Sequence, residues 1–292
     1  MATENRGDRT QSASRDVPDR VRLGDGTVRR MGFGAMRLAG PGIWGPPSDQ
    51  DHSIRLARRA VELGADHIDT ADAYGFGVVE DILRKALHPY PDHLLIATKV
   101  GQVQPRPGAW VPVGRPAFLR HQCEMSLRRL GVERIDLLYL HRVDPDVPFA
   151  DQIGTLKELR DEGKIAHVGL SEVAVEQIEV ARAIVEVAAV QNIYNLTTRI
   201  WDDVLAYCTR ERIPFVAWFP VMNGALARPD GAATQVAAET GSTPAQVALA
   251  WLLALSDILC PIPGTSSLSH LEENIAAASV RLTDEQIARL TS

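Results

Sequence analysis

The chain has 292 residues, 45% hydrophobic and 23% charged, with 31 Lys and Arg against 37 Asp and Glu and a formal net charge of −6. These values suit a globular chain large enough to bury its own core, and the lack of a dense basic stripe argues against a nucleic-acid surface. No apolar run is long enough to span a bilayer, and the polar N-terminus has no signal-peptide core.

In chain order, residues 1–18 read as a flexible tail and residues 19–292 as one domain. The domain opens on VRLGDGTVRR, a short hairpin cap with its turn expected at Asp25-Gly26. Strand patterns then cover 30–36, 67–71, 94–99, 135–141, 167–172, 187–194, 214–220 and 258–264. Apolar residues at helical spacing predict helices over 52–64, 78–87, 117–131, 150–164, 174–185, 202–213, 243–256 and 267–278. Gly64, Gly131 and Gly163 stand where helix C-caps belong. Eight strands alternating with eight helices imply a parallel sheet, and the count favours a closed (β/α)8 TIM barrel over an open sheet. GFGAMRLAG has the wrong spacing for an open-sheet dinucleotide fingerprint.

Three connections, 37–49, 101–114 and 221–234, are long and leave the C-terminal ends of strands, where loops build pockets. Trp44 and Trp110 sit in the first two and are candidates for the substrate pocket, although each can equally plug its own loop. Cys123, Cys208 and Cys260 are odd in number and far apart, so free thiols in a cytoplasmic protein are expected. His67, His88, His93, His121 and His167 lack metal-ligand spacing, and no metal is expected. The Arg residues of LRRLG read as part of a solvated helix face.

The chemistry concentrates at the ends of three successive strands, in Asp69, Tyr74, Lys99 and His141. A strand buried on both faces should be nearly all apolar, so polar residues closing three in a row call for another reason. A free phenol has a pKa near ~10. A neighbouring ammonium is expected to lower it, with Asp69 keeping Lys99 charged. His141 can donate to a carbonyl oxygen, so the set suits protonation of an oxygen that is becoming an alkoxide.

GFGAMRL, GADHIDTADAYG, IATKVG, DLLYLH, GKIAHVGLSE, VQNIYN, TPAQVALAWLL and IPGTSSLSHLEEN resemble, in order and spacing, the signature blocks of the aldo-keto reductases over about residues 30–278. FGAMRLAGPGIWGPP and the late IPGTSS are further similar to the bacterial pyridoxal reductase branch. The resemblance implies a (β/α)8 barrel, an NADPH/NADP+ cofactor with NAD possible, and hydride transfer to a small-molecule aldehyde or ketone. Pyridoxal or another small aromatic aldehyde is the expected substrate, and an NADPH-binding sensor subunit is the alternative. The resemblance makes Tyr74 the proton donor, tuned by Asp69 and Lys99, with His141 orienting the carbonyl. Gly34, Met36 and Pro220 fall on its cofactor-contact positions, Ser171, Glu172, Gln191 and Trp218 on its nicotinamide positions, and Thr265, Ser266, His270, Glu273 and Asn274 on its phosphate and adenine positions. Glu172 stands where Asn is usual, Phe219 where Ser is frequent, Gly264 where many relatives carry Lys, and His270 where they carry Arg. The last two departures imply weaker discrimination of NADP over NAD. No membrane or nucleic-acid partner is expected, and oligomeric state is left open.

Overall fold

The computed structural model describes residues 18–222 and 231–292. The expected tail, apart from Pro18, and most of the expected loop 221–234 lie outside those residues.

The chain opens on a hairpin of β1 (Arg20–Leu23) and β2 (Gly26–Arg29), then enters the main sheet at β3 (Phe33–Gly34). There follow α1 (Gln50–Glu62), β4 (His67–Asp69), α2 (Val78–Leu87) and β5 (Leu95–Val100). A second hairpin, β6 (Gln102–Arg106) and β7 (Ala109–Pro112), precedes α3 (Pro116–Leu130), β8 (Ile135–Leu140), α4 (Phe149–Asp161) and β9 (Ile165–Ser171). Next are α5 (Val175–Arg182), β10 (Val187–Ile193), α6 (Asp202–Glu211), β11 (Phe215–Trp218) and α7 (Ala232–Thr240). The chain ends with α8 (Pro244–Leu255), β12 (Leu259–Pro261), α9 (Leu268–Ala276) and α10 (Asp284–Thr291).

The eight-stranded sheet runs β12-β11-β10-β9-β8-β5-β4-β3, with every pairing parallel. Its two edges meet: Gly32 N donates to Pro261 O at 3.0 Å and Gly34 N to Pro263 O at 3.2 Å. The sheet is therefore closed on itself, the (β/α)8 arrangement expected from the alternation. Closure leaves no free edge and brings all eight C-terminal ends to one rim. The strands are buried on both faces, and β5 is buried at every residue. That burial explains their near-continuous apolar runs.

Local chemistry accounts for the helix ends. Thr243 accepts from Gln246 N and receives the Gln246 side chain on its own N–H, with Pro244 at the first helical position. Gly131 ends α3 in the left-handed conformation, φ 71°, as its place in the sequence predicts.

The structure departs from the sequence reading in four places. The first hairpin turns on Gly24-Asp25, not Asp25-Gly26: Leu23 pairs with Gly26 and Gly24 takes the positive φ. The strand expected over 30–36 is only Phe33–Gly34 before the chain tightens into a 3-10 turn over Ala35–Leu38, which takes Met36 out of the sheet. Residues 101–114 form the β6–β7 hairpin, whose prolines and glycine read as loop composition. Helix α7 begins inside the expected loop 221–234, because its Ala- and Thr-rich sequence has little apolar periodicity.

Arg30 ties the hairpin cap to the barrel floor. Its guanidinium is buried and donates to Pro18 O at 2.7 Å, Leu253 O at 2.9 Å and Ser256 O at 2.7 Å. Leu253 O is one of the carbonyls that the end of α8 leaves without a helical partner. Cys123, Cys208 and Cys260 are free and buried. Among the described residues, no helix is long and apolar enough to cross a membrane. Arg30→Met should strip these carbonyls of their shared donor, Leu253 O most of all since Ser256 O keeps Leu259 N, costing roughly 2–3 kcal/mol. Thermal melts of the two proteins should then differ by about 3–5 °C; equal midpoints would show that water satisfies the carbonyls.

Candidate active site

Asp69 is the last residue of β4, Lys99 the penultimate residue of β5, and His141 the residue after β8. Tyr74 opens the turn that follows β4. Closure of the barrel brings the four together. The Lys99 ammonium is 1% exposed and donates to an Asp69 carboxylate oxygen, to Thr70 O at 2.8 Å and to the Tyr74 hydroxyl at 3.3 Å. The His141 ring stands edge-on to Tyr74, centroids 5.9 Å apart. Its Nδ1 is buried with no hydrogen-bond partner among the described residues. Gln191, on β10, donates from Nε2 to the second Asp69 oxygen at 2.7 Å.

Electrostatics give each group a definite state. Burial pulls the Lys99 ammonium down, but the Asp69 carboxylate and Tyr74 outweigh it and hold the amine above the usual lysine range. Burial raises the Tyr74 phenol above its ordinary value; Lys99 lowers it in part, and Asp69 pushes it further up. The expectation that Lys99 would leave the phenol more acidic is thus reversed, because desolvation of the phenolate is the larger effect. Burial, then the charges of Lys99 and Arg142, hold His141 well below the usual imidazole value. At neutral pH the site therefore has a protonated phenol, a neutral imidazole and an ammonium held by a carboxylate.

The turn carrying Tyr74 is strained and strapped down. Gly75 and Phe76 both have φ 59°, unusual for Phe. Phe76 is held edge-on against Trp44, centroids 4.4 Å apart. Beneath the turn, Asp72 accepts from Arg129 Nη1 at 2.5 Å and from Gln122 Nε2 at 2.6 Å, both on α3. The same Arg129 nitrogen reaches Glu80 at 3.1 Å, and Glu80, fully buried, accepts from Thr98 Oγ1 at 2.7 Å. Arg129 is thus not on a solvated face, as LRRLG suggested; its partners are 49 and 57 residues away, beyond the reach of helical periodicity.

A cleft of about 50 Å³ opens at this rim, lined in part by Gly34, Met36, Asp69, Tyr74, Trp218 and Pro220. A larger cavity, about 300 Å³, lies beside Arg29, Met31 and Leu253 and contains none of the candidate residues. Ser171 closes β9 and Trp218 closes β11, so both reach the rim. Glu172 lies just past β9 at φ 56°, and its Oε1 accepts from Trp218 Nε1 at 2.7 Å and Ile193 N at 2.5 Å. Trp44 and Trp110 do not line the cleft; Trp44 packs on Phe76, and Trp110 lies within β7.

The late block gathers at the junction of β12 and β3. Thr265 Oγ1 accepts from Ser267 N at 3.0 Å, and Ser266 O lies 2.8 Å from His52 Nε2. Ser267 caps α9 by accepting from His270 N at 3.4 Å. His270 is exposed and Asn274 buried. The Glu273 carboxylate accepts from Thr243 Oγ1, so it supports the start of α8. A Cβ at Gly264 would lie 2.6 Å from Gly34 O, which forbids the family's lysine there unless the backbone moves. The cation beside this position is Arg37, whose Cγ is 3.5 Å from the same point. Arg37 lines both the cleft and a neighbouring hollow with Ser266 and His52. Sequence reasoning missed Arg37 and Arg142. Their only signal was adjacency to Met36 and His141.

Residues 30–292 match the model of the aldo/keto reductase family. An uncharacterized oxidoreductase of Schizosaccharomyces pombe is 47% identical over 270 residues, covering 92% of this chain and 88% of the relative. The pyridoxine 4-dehydrogenase of Escherichia coli is 40% identical over 274 residues, 92% of this chain and 96% of that one. In structure, an aldo/keto reductase of Klebsiella pneumoniae in complex with NADP and acetate superposes with a TM-score of 0.80 at 26% identity, covering 94% of both chains. The matched length, the two sequence relatives and the closed barrel agree: this chain belongs to the aldo/keto reductase family of oxidoreductases, on the side of that family similar to the pyridoxal reductase branch.

Proposed function

We propose that the chain is an NADPH-dependent reductase of aldehydes and ketones, with Tyr74 as proton donor and a small aromatic aldehyde of the pyridoxal type as substrate. The observation that carries the reading is the buried Lys99 ammonium bridging Asp69 and the Tyr74 hydroxyl at the mouth of a cleft. The Escherichia coli relative, named for pyridoxine, supports the substrate class. The Klebsiella pneumoniae neighbour with NADP supports the cofactor. Three buried free thiols favour a reducing compartment such as the cytoplasm.

The residues at the rim fit a nicotinamide dinucleotide. Ser171 and Gln191 offer polar groups for the carboxamide, and Trp218 an aromatic face. Thr265, Ser266 and the start of α9 offer hydroxyls and backbone N–H groups to phosphates. Arg37 supplies a cation that Gly264 cannot. A nicotinamide held there would supply a hydride to the carbonyl carbon. His141, neutral, orients the carbonyl by donating its ring N–H to the oxygen. As negative charge gathers there, Tyr74 transfers its hydroxyl proton to that oxygen and becomes a phenolate. Lys99 stabilises the phenolate through its ammonium, and Asp69 keeps that ammonium charged and aimed. Gln191 holds the other Asp69 oxygen. The low exposure of Tyr74 keeps bulk water from competing for the proton.

Purified enzyme with NADPH should reduce pyridoxal or 4-nitrobenzaldehyde, and Tyr74→Phe should retain NADPH binding while kcat falls by about 10²–10⁴. Reduction at the normal rate in that variant would rule out Tyr74 as the donor. Arg37→Met should raise KM for NADPH roughly tenfold, the scale of one charge-assisted hydrogen bond to a phosphate, and leave kcat within a few-fold; an unchanged KM would place the phosphates elsewhere. Tyr74 must be protonated to act and its phenol is held above the ordinary value, while His141 stays neutral until well below the ordinary imidazole range. The kcat for reduction should therefore be flat between about pH 6.5 and 9. A titration step near about 6.5 would show that the imidazole is not shielded.

A further inference from the structure

Beyond the catalytic quartet the rim carries two opposite charges to which the mechanism assigns no contact with substrate or cofactor. Arg142 follows His141 and is half-buried. Its Nη1 donates to His141 O at 2.6 Å and to Ser171 Oγ at 3.1 Å, and its Cζ sits 5.6 Å from the centroid of the Trp218 ring. Glu172 holds the same indole by its N–H, at 2.7 Å. Trp218 is thus gripped at one edge by a carboxylate and approached by a guanidinium.

The hydrogen bonds alone do not explain a carboxylate here. Glu172 accepts from Trp218 Nε1 and Ile193 N through one oxygen. A neutral amide oxygen would accept both without placing a charge at the rim. Burial works against the charge of Arg142, and the Glu172 carboxylate is the chief group favouring it. The two residues therefore act on each other as charges as well as through the indole between them. The charge matters at this end of the rim because a nicotinamide ring is neutral when reduced and cationic when oxidised. A fixed negative charge favours the oxidised form, and a fixed positive charge disfavours it.

We propose that Arg142 and Glu172 form a charge pair about Trp218 that sets the relative affinity for the oxidised and reduced cofactor, with Arg142 as a positioning residue that offsets Glu172. The proposal rests on the reading of this rim as a nicotinamide site. With Arg142 in place, Glu172 can orient the indole without retaining the oxidised cofactor after reduction. Arg142 also engages one lone pair of the Ser171 hydroxyl, which leaves its O–H free to donate to another acceptor.

The test is titration of NADPH and NADP+ onto the full chain, followed by tryptophan fluorescence and checked by calorimetry. In Arg142→Met the ratio Kd(NADP+)/Kd(NADPH) should fall roughly tenfold, the effect of one charge acting over several Å in a partly solvated site. In Glu172→Gln, which keeps an acceptor, it should rise by a similar factor. The double variant should return to within about twofold of wild type, since the two changes cancel in charge. Arg142→Lys keeps the charge but loses the planar fork, and should also stay within about twofold. If the ratio is unmoved in both single variants, with the two cofactor forms weakened alike, the charge pair is overturned. Should Arg142→Met fail to fold, Glu172→Gln alone still decides, because a ratio that does not rise refutes the proposal. A wild-type protein that binds neither form overturns the nicotinamide reading itself, which is distinguishable from both outcomes.

Discussion

A lysine ammonium with almost no access to water organises this molecule. Removing a charge of that kind from solvent costs several kcal/mol unless it is paired and hydrogen-bonded. Lys99 has a carboxylate, a backbone carbonyl and a phenol to meet that cost. Its partners come from β4 and the turn after it, so the arrangement exists only while β4 and β5 pair in register, with Asp69 opposite Ala97. Gln191 then draws β10 into the same network from across the barrel. A group proposed for chemistry is in this way also a constraint on the fold.

The same ion explains why Tyr74 needs so much support. A phenol must lie within reach of Lys99, yet it sits on a turn whose backbone includes a phenylalanine at positive φ. Such a turn stays in place because its surroundings overdetermine it. Asp72 is held by two side chains of α3, and Glu80 is held by Arg129 and Thr98. Phe76 leans on Trp44 from the loop after β3. Burial raises Glu80 toward its neutral form, reinforced by the nearby Asp72, while Ser126, Thr98 and Arg129 oppose the shift. The network is best regarded as a strut whose worth lies in position.

The junction of β12 and β3 shows how one close backbone approach can redistribute charge. At the closure of the barrel a Cβ at Gly264 would meet Gly34 O and one at Gly34 would meet Ile262 O, each at 2.6 Å, so neither position tolerates a side chain. A lysine at 264 is sterically incompatible with this closure, and Arg37 stands beside the same point from the 3-10 turn after β3. At the end of β9, Glu172 in place of Asn is matched by a guanidinium at the same indole. Both departures from the family pattern have a charged neighbour that sequence comparison at a single position does not reveal.

The sequence by itself determined the alternation of eight strands and eight helices, several helix ends, and the identity of the polar residues that close the strands. Those features depend on local periodicity, on caps such as Thr243-Pro244 and Gly131, and on the mismatch between a buried strand and a charged residue such as Lys99. Each is readable within about ten neighbouring residues. Only the tertiary structure decided that burial keeps the Tyr74 phenol protonated against the pull of Lys99. It also decided that Arg129 lies under a turn instead of facing water, that Glu172 is engaged by Trp218, and that Arg37 and Arg142 face the rim. These outcomes depend on desolvation and on the meeting of residues tens of positions apart, and neither exists until the barrel closes.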